Sequence, residues 1–218
     1  MKPQKSLEHL ASGAKHGLDP TPETLREGSV RMEQHPNYES SIAEIKRLEF
    51  IVKNTLRDEP HVVVREVLNP DLEIIRVEKI LYIQEGMRYL DLEHELGHIQ
   101  QLTERFGEKL LPTERVIEYP DGLVKDISDR GGVLTSWQNT ITEYHNRLVE
   151  FLRLHSRGAN PELLAEHARG VRAWRGKYLE KGLKGRRSPT RLAWAQEHFP
   201  DISTLESQYR DIRGFTLE

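Results

Sequence analysis

Apolar residues along the chain recur with two different periods. At helical spacing, Ile42, Ile45, Leu48, Ile51 and Val52 predict an amphipathic helix from Asn37 to about Leu56, ended by Pro60. His61–Leu68 and Leu72–Ile83 are instead dense in Val and Ile, with the turn-former Asn69-Pro70-Asp71 between them, and predict a β-hairpin. A helix follows, with Asp91 as N-cap, Leu92, Leu96, Ile99, Leu102 and Phe106 on one face, and Gly107 as its stop. Pro120-Asp121-Gly122 between Val116–Tyr119 and Leu123–Ile127 predicts a second, shorter hairpin. Helices are then predicted over Thr135–Leu154, from Asn160-Pro161 to Gly182, from Ser188-Pro189 to before Pro200, and over Thr204–Ile212.

These elements predict an α+β fold, mainly helical, with a small antiparallel sheet beside the helix that starts near Asp91. Residues 1–37, rich in Pro, Gly and charge, read as a loose lead-in with one short helix near Pro22–Arg26. A core over 38–158 and a helical C-terminal extension over 159–218, packed on it, complete the expected organisation.

Composition narrows the chemistry. Of the 218 residues, 31% are charged and 36% hydrophobic, and the net charge of −3 gives no reason to expect nucleic acid or a membrane as partner. Cysteine is absent, which removes disulfides and thiolates and leaves His, Asp and Glu for any metal. There is no long apolar run and no signal peptide, since Met1 to Lys15 is polar. The expected location is the cytoplasm, or outside the cell by a route that needs no signal peptide.

The chemistry centres on His94-Glu95-Leu96-Gly97-His98. Two histidines four apart on a helix lie about one turn apart on one face, so both imidazoles can reach one ion. Zinc lowers the pKa of a bound water to about 7, and Glu95, between the histidines, is placed to act as general base. At about 100° per residue from His94, the apolar set spans roughly 80° to 200°, and His98 falls at about 40°. Both histidines therefore lie off the core-facing stripe. Gly97 is costly inside a helix, by about 0.5–1 kcal/mol, unless it admits a second element close to the metal. The hairpin before the helix offers an edge along which an extended peptide could bind.

A catalytic zinc takes three protein ligands, so one more is needed. On the helix Thr135–Leu154 the apolar residues Trp137, Ile141, Tyr144, Leu148, Phe151 and Leu152 lie at roughly 80° to 180° from Glu143, while Asn139, Asn146 and Glu150 share its polar face. Glu143 is the first candidate for third ligand, followed by His145 and Glu150. Tyr144, His145 and Tyr119 are candidates to stabilise the oxyanion of the transition state.

HELGH on a helix, followed by a second helix bearing Glu143, resembles the gluzincin arrangement of metallopeptidases. More narrowly, the chain is similar to the zincin-type toxin domains at the ends of bacterial polymorphic toxins, from the first hairpin to Glu143-Tyr144-His145-Asn146-Arg147. The resemblance implies a zincin-like core with His94, His98 and Glu143 as ligands of Zn2+ and Glu95 as base. It also implies a protein or peptide substrate and, for a toxin, an acidic immunity protein as partner. Two departures stand out. Glu143 is not followed by the Asn-Glu-x-x-x-Asp pattern of the best-known gluzincins, and position 104 is Glu, not the later His of metzincins.

A bacterial toxin or effector that hydrolyses peptide bonds is therefore the expected function. Two other readings remain: an intracellular regulatory HExxH peptidase, or a non-catalytic binding module. The last would use 170–192, where eight Lys or Arg face one acid, Glu180, with Trp174 and Tyr178 interleaved.

Overall fold

The computed structural model describes residues 30–55, 60–107, 111–130, 133–185, 187–212 and 214–217. Most of the expected lead-in, with its short helix near residues 22–26, lies outside them. From Val30 onward the chain is tied in: Met32 N–H bonds Met87 C=O at 2.7 Å, Tyr89 N–H bonds Val30 C=O, and Met32 is buried.

Helix α1 (Tyr38–Arg47) stops well short of the predicted end. Leu48 N–H bonds Glu44 C=O, Glu49 turns left-handed at φ 65°, and Phe50 N–H bonds back to Ile45 C=O. This turn drives Phe50 into the core and sends Ile51–Asn54 into strand β1 instead of a longer helix. A left-handed residue other than glycine is uncommon, so nothing in the residue types announces the stop.

Strands β2 (His61–Leu68) and β3 (Ile74–Ile83) form the expected hairpin, and β4 (Glu114–Glu118) with β5 (Val124–Asp126) the second. All five join one sheet of order β1-β3-β2-β4-β5. The sheet is mixed, not antiparallel throughout as expected, because β1 runs parallel to β3 and β4 parallel to β2. Charge pairing supports this register: Arg65 stands opposite both Glu78 and Glu114, and Arg115 opposite Glu66, with all three ion pairs made. The hairpin consequently lies inside the sheet, with β1 covering residues 80–83 of β3 and β4 covering 65–68 of β2, so the expected open edge is only partly occupied. Where β4 has not yet begun, Thr113 bonds both Val64 N–H and C=O, and Val62 N–H is taken by Glu95.

Helix α2 (Tyr89–Phe106) begins three residues earlier than an Asp91 cap requires. Arg88 is the N-cap, and Asp91 instead binds the Arg88 guanidinium through 3.0 and 2.7 Å bonds. Helix α3 (Ser136–Ser156) opens on a capping box of Thr135 and Gln138. Helix α4 (Pro161–Lys177) opens on Asn160, whose side chain accepts from Leu163 N–H, and its C-terminus continues through a π turn at Tyr178–Gly182. Helices α5 (Pro189–His198) and α6 (Ile202–Asp211) follow.

Among the described residues two apolar cores form, one on each side of α2. On the sheet side, Leu92, Ile99, Val64 and Leu81 are each 0% exposed, and such burial stabilises by about 1.5–3 kcal/mol per side chain. On the other side, Ile141, Tyr144, Leu148 and Phe151 of α3 share a core with residues from α4, α5 and α6. Helices α4, α5 and α6 thus help form the layer that holds α3 against α2. Among the described residues no helix is long and apolar enough to cross a membrane.

Candidate metal centre

Helices α2 and α3 approach closely at Gly97. A methyl group there would lie 2.3 Å from Asn146 Oδ1, so only glycine admits α3 at this distance. Asn146 Nδ2 donates to His94 C=O at 3.0 Å, which fixes how the two helices meet. The polar face of α3 predicted by periodicity, Glu143, Asn146 and Glu150, is thereby laid against the two histidines.

His94, Glu95 and His98 present ligand atoms within 4.8 Å of one another and could hold a metal ion. Their rings stand edge to face, with centroids 4.7 Å apart. Glu143 Oε2 lies 3.4 Å from Nε2 of both His94 and His98. That oxygen is buried and makes no hydrogen bond. On the far side of each ring a second partner engages Nδ1: Glu150 Oε2 at 3.3 Å from His94, and Gln101 Oε1 at 3.2 Å from His98. Gln101 Oε1, an acceptor, selects the Nδ1–H tautomer of His98 and leaves its Nε2 directed at the shared point, whereas His94 Nδ1 stands between Glu150 Oε2 and the Asn146 amide nitrogen at 3.2 Å.

The electrostatics match the geometry. Burial opposes a charge on His94, but the adjacent Glu143 and Glu150 carboxylates outweigh it and lift its pKa to about 9. Burial likewise pushes Glu143 up, and its contacts with His94 and His98 more than reverse this, holding it far below the usual carboxylate range. Glu150, 2% exposed, is also well below that range, since His167 and His94 outweigh its burial. The pocket is anionic and draws a cation, whether proton or metal. Glu95 behaves in the opposite way: burial raises its pKa against the pull of His98 and His94, and Val62 N–H donates to its Oε2 at 3.0 Å.

The remaining expected site residues go elsewhere. Tyr144 points into the helical core and donates to Glu206 at 2.7 Å, away from the histidines. Tyr119 sits in the turn between β4 and β5, its N–H bonded to Leu123 C=O. His145 is buried between Gln101 and Asp201. Glu150 reaches the Nδ1 side of His94, not the Nε2 side where Glu143 stands. Gln101 and Asp201 were not among the sequence candidates. Gln101 had a usable signal, three residues beyond His98 on the same helix face; Asp201 had none, because it falls between two predicted helices.

No protein-family model matches the chain, and comparison with curated proteins and with solved structures gave no match. The likeness to zincins therefore has its structural support in the His94–Glu95–His98 cluster alone.

Proposed function

We propose that this chain is a zinc-dependent metallopeptidase. The observation that carries the proposal is the buried, unpartnered Glu143 Oε2, 3.4 Å from both Nε2 atoms. Four-coordinate zinc with ligands at about 2.0–2.1 Å spaces them about 3.3–3.4 Å apart, and the two Glu143–imidazole distances match that spacing. His94 Nε2, His98 Nε2 and Glu143 Oε2 would hold the ion.

Zinc bound there would supply a Lewis acid and a water of lowered pKa. The protein supplies the proton transfers. With Oε2 held by Val62 N–H, Glu95 takes a proton from the attacking water at Oε1 and passes it to the leaving amine. Burial makes that carboxylate more basic than an exposed one. An effector role against a protein target rests on the likeness of HELGH and Glu143 to toxin domains. The binding-module reading has less support, because Arg175, Lys177 and Arg191 of the basic segment are engaged by Glu206, Trp174 and Trp137.

Glu95→Gln tests the proposal on a peptide library read by mass spectrometry. Hydrolysis is expected to fall by about 100-fold or more, with about one zinc per chain retained. A Glu95→Gln protein that cuts at the wild-type rate would overturn it.

A further inference from the structure

We infer that Gln101, His145 and Asp201 form a positioning chain that sets the tautomer and orientation of His98, so that helix α6 takes part in building the metal centre. This rests on the metal-centre reading above.

Groups that can only accept orient the hydrogen bonds of the chain. Gln101 Nε2 lies 3.3 Å from Thr142 C=O, which can only accept, so the amide's NH2 end must face α3. Its Oε1 then faces His98 Nδ1 at 3.2 Å and must accept from it. The second N–H of the same amide donates to His145 Nδ1 at 2.6 Å. His145 therefore carries its proton on Nε2, which donates to Asp201 Oδ2 at 3.2 Å. Arg105 Nη2 holds the same oxygen at 2.6 Å and also lies 3.3 Å from His145 Nε2; since it can only donate, its proton goes to the nearer Asp201 carboxylate. With Thr142 C=O accepting at one end and Asp201 Oδ2 at the other, these contacts favour the arrangement in which His98 keeps Nδ1–H and frees Nε2.

Burial and a forgone cap indicate that the chain is built for this purpose. Gln101 is 6% exposed and His145 3%. Asp201 occupies the N-cap of α6, where its carboxylate would ordinarily stabilise the helix by about 1 kcal/mol, yet it makes no cap bond. The carboxylate is turned to His145 and Arg105 instead. His94 Nδ1 meets the Glu150 carboxylate and the Asn146 amide, whereas His98 Nδ1 meets a neutral amide that a distant carboxylate holds in place.

Gln101→Met fills the same volume without the amide, and Asp201→Ala removes the far end. Asp201→Asn retains an oxygen that can accept from His145. Zinc affinity is measured by chelator competition, the site symmetry by the visible spectrum of the Co2+ form, and folding by melting of the metal-free protein. Gln101→Met and Asp201→Ala are expected to bind zinc about 10- to 100-fold more weakly, as for second partners of metal-bound histidines, with a changed Co2+ spectrum. Asp201→Asn is expected to stay near wild type. Should Asp201→Ala fail to fold, Gln101→Met decides alone. Zinc binding by Gln101→Met within about two-fold of a zinc-binding wild type would overturn the chain and leave the metal centre standing. A wild type that takes no zinc would overturn the metal centre and the chain together.

Discussion

Replacing Gly97 by alanine tests the closest contact on which the centre depends. Alanine in a helix interior gains about 0.5–1 kcal/mol over glycine, so on propensity alone the variant should be more stable. Against this, the new Cβ would stand 2.3 Å from Oδ1, 3.1 Å from Cγ and 3.2 Å from Nδ2 of Asn146. Asn146 is 3% exposed and cannot swing out to solvent. Relieving the clash means parting the helices, at about 1–3 kcal/mol for overpacking, and losing the bond to His94 C=O, worth about 1 kcal/mol. The net expectation is a loss of about 1–3 kcal/mol, read as a lower urea midpoint for chelator-treated protein. Adding Asn146→Ala removes the obstructing side chain, so the double variant should lose less than the sum of the singles by about 1–3 kcal/mol. A Gly97→Ala protein as stable as wild type, or strictly additive singles, would refute the close approach of α2 and α3.

Three further outcomes are expected. Glu143→Ala should bind zinc far more weakly than wild type while still folding; unchanged metal content by elemental analysis would move the third ligand elsewhere. In metal-free protein the depressed Glu143 and Glu150 stabilise the fold above their unfolded pKa of 4.5, and that stability is lost as pH falls. The raised His94 stabilises it fully below 6.5, and that contribution is lost as pH rises through about 9. Urea midpoints should therefore peak between those two unfolded values, and a flat profile from pH 6.5 upward would contradict the role given to His94. Tyr144→Phe should lower stability by about 1 kcal/mol through the lost bond to Glu206 and leave turnover unchanged, whereas a large fall in kcat would return Tyr144 to the site.

What could be read from residue order was whatever a single helix determines. His94 and His98 share a face because of the helical repeat alone, and the same repeat put Glu143, Asn146 and Glu150 together on α3. It also placed Tyr144 about 100° from Glu143, inside the apolar stripe, so its burial was legible even though its chemistry invited another role. Gly97 announced a close neighbour through its cost, but not which neighbour. Contacts between distant segments left no such trace. Asp201 reaches His145 across 56 positions of sequence, and the pairing depends on how α6 docks, which no local pattern encodes. Strand β1 was hidden for a related reason: Ile51 and Val52 fit a helical stripe, and only the left-handed Glu49, with Phe50 buried beyond it, breaks the helix. Packing of Phe50 outweighs local propensity there. At the metal centre the same preference for long-range partners turns the Asp201 carboxylate away from its own helix. The residues that aim the ligands are harder to read than the ligands because they answer to tertiary geometry, while the ligand pair answers to one helical turn.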